Sequence, residues 1–372
     1  MGKRIAIVSN TSDLGVLIVR NLLIKLVREQ EPGSFIAILA DADVVEKTRD
    51  FYRRHSWIDD CIALEAARAP SAEARLIKVI MEQRFDCMIL SPESKFPAWI
   101  PYFCKVPVRV AFVSDPTQRM YVNQPVSLAE GVAVKDTHWT EILSGYARAL
   151  GIKTFKGAGN HVPFFRVEGP DIPRAVGNTA RVVVHAGGNA EWNRRWPLVN
   201  FEKLCAKMET VFDVSIALIG GAIEGCENEA IVRAVKKENP SADITNLAGA
   251  SLAQTALYIK AANLFVGNDS GPMNLAVALG TPVVAIRGAD PENFRADRVD
   301  AKHLVISNWR NCSRCIDQTH LCRRGCPIAY DRESQRYPKC MEAISFEEVW
   351  GAVRQQFREI KLNQNDYTNV ST

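Results

Sequence analysis

Short apolar runs alternate along the chain with longer amphipathic stretches, a pattern that predicts strands separated by helices. In the first half the predicted strands are residues 4–9, 35–40, 61–65, 87–91 and 108–114. These runs are apolar at nearly every position, as in strands covered on both faces. We therefore expect a parallel, doubly wound sheet.

The same rhythm restarts in the second half, where the predicted strands are residues 181–186, 215–220, 244–247, 264–268 and 283–287. Residues 157–177 are rich in proline and glycine and lack either period, which indicates a linker. We predict two Rossmann-like α/β domains at residues 1–165 and 178–344. Residues 345–372 are expected to form a closing helix and tail, with the helix bracing the first domain.

Composition narrows the class of protein. At 372 residues the chain exceeds the roughly 100 to 200 residues of one domain. Its 47% hydrophobic and 24% charged residues are typical of a globular protein, and a net charge of +4 does not indicate a nucleic-acid partner. Neither a signal peptide nor an apolar run of roughly 18 residues is evident. We expect a cytoplasmic protein whose membrane contact, if any, is peripheral.

The strongest local signal is LFVGNDSGPMNLAVALGTPVVAI at residues 264–286. A strand ends there in a turn of small residues, and a helix opens with Pro272, where a missing N–H has no cost. Ser270 and Gly271 leave the first backbone amides accessible, and the helix dipole adds positive charge, so a diphosphate would fit. Asp269 is expected to fix the shape of the turn. The alternative is that Ser270 and Pro272 only cap a structural helix.

This turn resembles the D-[ST]-G-x-x-[HN] turn of the family 9 glycosyltransferases, the ADP-heptose:lipopolysaccharide heptosyltransferases and their relatives. Residues 182–204, VVVHAGGNAEWNRRWPLVNFEKL, extend the resemblance, because relatives carry a basic residue two before Trp-Pro. The resemblance implies that Arg194 contacts the donor phosphates, with Arg195 as its neighbour; two solvated loop arginines are the alternative. Asn274 stands where many relatives have histidine, and it can donate to phosphate without carrying charge.

Two acidic positions also match the family. Glu224 and Glu227 follow a glycine pair, and the resemblance implies that an acidic residue here binds the nucleoside sugar. The residues do not decide between the two, and either could be a helix-start acid. Asp13, within SDLG at residues 12–15, matches the family's general base and equally fits a helix N-cap. We expect His185 to be a packed residue without a catalytic task.

Five of the cysteines crowd between residues 312 and 340. A CxxC pair followed by further cysteines is a spacing that builds tetrahedral thiolate sites for zinc or iron. The resemblance supports Cys312, Cys315, Cys326 and Cys340 as ligands of a structural metal. Free or redox-active thiols are the alternative. No catalytic cofactor is expected.

The resemblance as a whole implies the GT-B fold class, two Rossmann-like domains facing a cleft, and an inverting glycosyltransferase with no metal at the reacting centre. The expected donor is ADP-heptose, and the acceptor a glycan, lipopolysaccharide or lipid-linked glycoside, which suggests work at the inner face of the inner membrane. One rival is a UDP-sugar 2-epimerase of the same architecture. The other is a non-catalytic assembly protein whose cysteine segment forms a metal ribbon.

Overall fold

The computed structural model describes residues 2–53, 57–64, 70–91, 94, 96–113, 116–126, 139–152, 167, 172, 179–188, 195–288, 296, 300–307 and 337–369. The chain divides into two compact units, Met1–Arg166 and Val167–Thr372. Each unit contains a six-stranded sheet whose paired strands are parallel. The predicted fold class, α/β with two doubly wound parallel sheets, is confirmed.

The sheet of the first unit has the strand order β3-β2-β1-β4-β5-β6. Its strands are β1 (Arg4–Val8), β2 (Phe35–Asp41), β3 (Asp60–Leu64), β4 (Cys87–Leu90), β5 (Val108–Phe112) and β6 (Gln124–Val126). Its helices are α1 (Leu14–Gln30), α2 (Ala42–Arg53), α3 (Pro70–Gln83), α4 (Trp99–Phe103) and α5 (Trp139–Ala149), with a 3₁₀ turn at Pro116–Met120. The order reverses at β1 and β4, so the loops after these strands flank the switch point of the sheet.

The second unit repeats this topology in the order β12-β11-β10-β7-β8-β9. Its strands are β7 (Ala180–His185), β8 (Val214–Leu218), β9 (Ile244–Asn246), β10 (Leu264–Asn268), β11 (Val283–Arg287) and β12 (His303–Ser307). Its helices are α6 (Leu198–Val211), α7 (Gly225–Glu238), α8 (Leu252–Lys260), α9 (Gly271–Ala278), α10 (Lys339–Glu342) and α11 (Phe346–Asn369), and a 3₁₀ turn spans Ala222–Glu224. Here the switch point lies between β7 and β10.

Every strand predicted from the sequence is present, whereas the edge strands β6 and β12 were missed. In β6 two of the three residues are exposed and the middle one is Pro125, which sheets tolerate at an edge. Most of β12 is only half-buried. Both strands lie at the edge of their sheets; β6 has no apolar run, and the run in β12 is limited to residues 304–306.

The long terminal helix α11 belongs to the second unit. Val349, Trp350, Val353 and Phe357 join that unit's core, and the Phe357 ring stacks on Phe212 at 4.0 Å between centroids. The described buried face of this helix therefore packs on the second unit, and the expectation that the helix braces the first domain stays a prediction. No helix among the described residues is both long enough and apolar enough to cross a membrane.

Candidate functional site

Three loops meet at the carboxyl edge of the second sheet, because β10, β7 and β8 are neighbours. The loop after β7 begins at His185, the loop after β8 leads into the 3₁₀ turn that ends at Glu224, and the loop after β10 leads into α9. Ligands of doubly wound sheets bind at this edge, beside the switch point. The described candidate residues of the second unit, Cys340 excepted, lie on these loops or at the starts of α7 and α9.

Ser270 is the N-cap residue of α9, with extended backbone angles of φ −155° and ψ 175°. Its side chain makes no capping hydrogen bond. The hydroxyl donates instead to the carbonyl oxygen of Asn268 at 3.0 Å, and it lies 3.0 Å from Nδ1 of His185. Ser270 and Pro272 thus occupy the capping positions of α9, but the Ser270 hydroxyl does not take the first-turn amides.

Asn274, one turn into α9, is half-buried, and its Nδ2 donates to the carbonyl oxygen of Ser270 at 3.2 Å. The contact draws the side chain back over the turn. Asp269 is buried, and its Oδ2 lies 3.5 Å from Nε of Arg287 on β11. An aspartate facing a buried guanidinium ties the turn to the next strand. The expected role of Asp269 in shaping the turn stays a prediction.

Asn268, at the end of β10, was missed as a site residue. Its side chain is fully buried, and its Oδ1 accepts from the backbone N–H of Trp196 at 3.0 Å. Its Nδ2 donates to the carbonyl oxygens of Ala186 and Gly187 at 2.8 and 2.9 Å. This amide joins the loop after β7 to the mouth of α9, and the signal for it was an asparagine closing an otherwise apolar strand.

Glu224 is 7% exposed and has a donor on every side. Its Oε1 accepts from the Gly188 amide at 2.8 Å and from Nη2 of Arg195 at 3.1 Å. Its Oε2 accepts from the Gly221 amide at 2.8 Å and lies 3.6 Å from Nε2 of His185. Burial alone would raise the pKa of this carboxyl, but His185 and the two amides outweigh burial and lower the pKa to about 2.

Glycines make the space that this carboxylate fills. A Cβ atom added at Gly187 would lie 1.8 Å from Oε1 of Glu224, and one added at Gly220 would lie 2.6 Å from Oε2. Gly220 also has a φ of +158°, at the border of the region that L side chains rarely adopt. A side chain at Gly187 or Gly220 would compete with Glu224, and the amides of Gly188 and Gly221 hold its carboxylate, so these glycines form a cage around it.

Arg195 is also buried in this network, although the sequence suggested a phosphate ligand. Its Nη1 donates to Glu227 at 2.6 Å, and its Nε and Nη2 donate to the carbonyl oxygen of Gly188 at 3.0 and 2.8 Å. With the bond to Glu224, both edges of the guanidinium face the protein. Arg194 lies outside the described residues, and its assignment stays a prediction.

In the first unit, Asp13 is the N-cap of α1, as one of the two sequence interpretations required. Its Oδ1 accepts from the amides of Gly15 and Val16 at 2.8 and 3.3 Å. The residue is exposed and stands on the loop after β1, at the carboxyl edge of its sheet. Capping uses one carboxylate oxygen, so the geometry is compatible with a second task for the other.

Of the predicted metal ligands, Cys312, Cys315 and Cys326 lie outside the described residues. Cys340 is half-buried in α10, and a Cβ added at Gly288 would lie 3.0 Å from its sulfur. Within the described part of the chain, no three His, Cys, Asp or Glu side chains are grouped to hold a metal. The zinc or iron site stays a prediction.

Comparison with known proteins places this site in context. The chain is 23% identical over 336 residues to lipopolysaccharide heptosyltransferase 2 of Salmonella typhimurium, covering 86% of this chain and 90% of that protein. It is 28% identical to lipopolysaccharide heptosyltransferase 1 of Campylobacter coli over 148 residues, 39% of this chain and 42% of that protein. The solved structure of E. coli ADP-heptose lps heptosyltransferase II superposes with a TM-score of 0.66 at 18% identity, covering 96% of this chain and 99% of that one. Residues 73–324 match the sequence profile of glycosyltransferase family 9 (heptosyltransferase). The chain therefore belongs to glycosyltransferase family 9.

Proposed function

We propose that the chain is an inverting glycosyltransferase that takes heptose from ADP-heptose and binds the donor diphosphate at the amino-terminal end of α9. The observation that carries this proposal is the turned-away Ser270 hydroxyl, which leaves the first amides of α9 to an anion. The helix dipole favours negative charge at the same point. The E. coli structural neighbour is described as an ADP-heptose lipopolysaccharide heptosyltransferase, which supports the choice of donor.

In the proposed reaction an acceptor hydroxyl oxygen forms a bond to the anomeric carbon as the bond from that carbon to the diphosphate breaks. Asp13 takes the hydroxyl proton on its carboxylate. The departing nucleoside diphosphate gains negative charge, which the α9 amides and the guanidinium of Arg194 stabilise. In this proposal the α9 amides and Arg194 stabilise the charge on the leaving group, and no metal is assigned to the reacting centre.

We assign Glu224 and Arg195 to positioning, and not to direct contact with the donor. A carboxylate accepts about four hydrogen bonds, and four donors already surround Glu224. Little acceptor capacity is left for two ribose hydroxyls. Glu227 is bound to Arg195 at 2.6 Å. Together these residues hold the loop after β7, which continues into Arg194, against the start of α7.

Titration and turnover test the proposal together. We expect ADP to bind in calorimetry, and Arg194→Ala to weaken that binding about tenfold, since one charge-assisted phosphate contact is lost. Arg233→Ala, an exposed arginine on α7, is the matched control and should bind as the unaltered chain does. Heptose transfer from ADP-heptose to a lipopolysaccharide-core acceptor is the expected reaction. Epimerised sugar from UDP-N-acetylglucosamine without any acceptor would favour the epimerase, and no nucleotide binding at all would favour the assembly protein.

We also propose that the acceptor is lipid-linked and that the first unit makes peripheral contact with the inner membrane from the cytoplasmic side. Support comes from an exposed patch on α4 and the following 3₁₀ turn. Tyr102, Phe103 and Met120 are 45%, 63% and 70% exposed. Lys105 and Arg119 are exposed beside them, and the described residues 96–113 and 116–126 contain no carboxylate. Aromatic side chains mixed with cations suit an anionic bilayer interface.

Sedimentation with phospholipid vesicles tests this contact. Vesicles containing phosphatidylglycerol should bind the chain, and the variant with Phe103→Ser and Met120→Ser should bind about fivefold less, because its inserted apolar area is lost. Val211→Ser removes an apolar side chain of the second unit that is 49% exposed and serves as the control. Equal binding by both variants, or equal binding to neutral vesicles, would rule the patch out as the docking surface.

A further inference from the structure

Ser270 occupies the N-cap position of α9, but its side chain makes no capping hydrogen bond. From extended backbone angles such as φ −155° and ψ 175°, an N-cap serine ordinarily accepts from the second or third amide of its helix. Here the second helical residue is Pro272, which has no N–H, so the amide available to the hydroxyl is that of Met273. The hydroxyl is directed to His185 and Asn268 instead.

Both ring nitrogens of His185 lie close to a polar side chain. Its Nε2 lies 3.6 Å from Oε2 of Glu224, and its Nδ1 lies 3.0 Å from the Ser270 hydroxyl. Glu224 and Ser270 each make further hydrogen bonds that hold them in place. Glu224 is anchored by the amides of Gly188 and Gly221. The contact made by one ring nitrogen sets the orientation of the other. A continuous chain of carboxylate, imidazole and hydroxyl therefore runs beneath the mouth of α9.

Resting on the diphosphate site of the proposed function, we propose that His185 is a positioning residue for the donor. It holds the Ser270 hydroxyl away from the N–H of Met273, a residue that is 1% exposed, so that the hydroxyl does not compete with a phosphate oxygen for this donor. Without the imidazole, the hydroxyl rotates about χ1 and caps α9. The cap and the phosphate then compete for one donor, and donor affinity falls although no group that touches the nucleotide has been removed.

A double-mutant cycle read by ADP calorimetry tests this competition. We expect His185→Ala to weaken ADP binding about fivefold, the strength of an ordinary serine cap. In a Ser270→Ala background there is no hydroxyl to form the cap, so adding His185→Ala should have no further effect. Equal weakening in both backgrounds would mean that His185 only supports packing, and would overturn the proposal.

Two conservative variants separate the ring nitrogens. The amide of His185→Asn places a polar atom near the position of Nδ1, whereas that of His185→Gln reaches the position of Nε2. We expect the asparagine variant to retain most of the affinity for ADP and the glutamine variant to resemble His185→Ala. The reverse order would contradict a role exerted through Ser270. This pair also keeps the test available if the alanine variant does not fold.

Hydrogen–deuterium exchange in the nucleotide-free protein gives a readout that does not need the donor. His185→Ala should slow exchange at the Met273 amide relative to the unaltered chain, and this protection should vanish when Ser270→Ala is added. Unchanged exchange would overturn the proposal. Protection without any binding of ADP to the unaltered chain would support the His185 role and count against the proposed function alone.

Discussion

Gly187→Ala is expected to destabilise the second unit by about 3 kcal/mol and to weaken ADP binding about thirtyfold. The added Cβ would lie 1.8 Å from Oε1 and 2.2 Å from the carboxyl carbon of Glu224. The carboxylate must therefore leave its cage, and the amides of Gly188 and Gly221 lose their acceptor. Each of these two amides loses a hydrogen bond to a charged acceptor, and such a bond contributes about 1.5–3 kcal/mol. The displaced Glu224 side chain also loses its contacts with His185 and Arg195. Loss of the first contact affects the mouth of α9, and loss of the second affects the loop after β7.

Urea denaturation and ADP calorimetry measure these two effects. Gly351→Ala is the matched control, since nothing lies within 4 Å of the Cβ it would add to α11. Alanine replaces glycine there inside a helix, so the control should keep or raise the free energy of unfolding. If Gly187→Ala unfolds and binds ADP as the unaltered chain does, the glycine cage around Glu224 has no bearing on the site.

Glu224→Gln is expected to lower the free energy of unfolding by about 3–5 kcal/mol at neutral pH. The substitution removes one partner of a buried ion pair, leaving Arg195 with less compensating charge. The new amide group also brings N–H atoms to a place where the amides of Gly188 and Gly221 already donate. Glu238→Gln, on the exposed carboxyl-terminal end of α7, should stay within about 0.5 kcal/mol of the unaltered chain.

The same carboxyl predicts a pH dependence whose sign follows from its pKa. The pKa is lowered from 4.5 to about 2 in the folded chain, so Glu224 stabilises the fold above pH 4.5 and this stabilisation is lost as the pH falls towards 2. Between about pH 5 and about pH 3 the expected loss is about 2 kcal/mol. Urea denaturation of Glu224→Gln should lack this part of the acid dependence. Parallel pH profiles for both proteins would show that Glu224 is not the responsible group.

Most of the fold could be predicted because buried parallel strands are nearly continuous apolar runs. The exceptions, β6 and β12, are edge strands that are exposed or half-buried; β6 has no apolar run, and the run in β12 is limited to residues 304–306. The position of the turn at Ser270 was also predictable, because small residues and a proline after a strand are local signals. Residues whose roles depend on neighbours in the chain are the ones that sequence reasoning can locate.

The contacts that define the site were not predictable, because they join residues far apart in the chain. Ser270 meets His185 across 85 positions, and Glu224 meets Gly188 across 36. Arg195 was interpreted as a neighbour of the donor phosphates because of the family resemblance around Trp196-Pro197. Its burial depends on Glu227, which only the packing of α7 brings within 2.6 Å.

Hydrogen–deuterium exchange across residues 270–275, compared with and without ADP, tests most directly whether the mouth of α9 holds the donor phosphates. Bound diphosphate should accept from the first-turn amides of Gly271 and Met273, so exchange at both should slow when ADP is added. Nucleotide that protects other parts of the second unit while these two amides exchange at an unchanged rate would contradict the account.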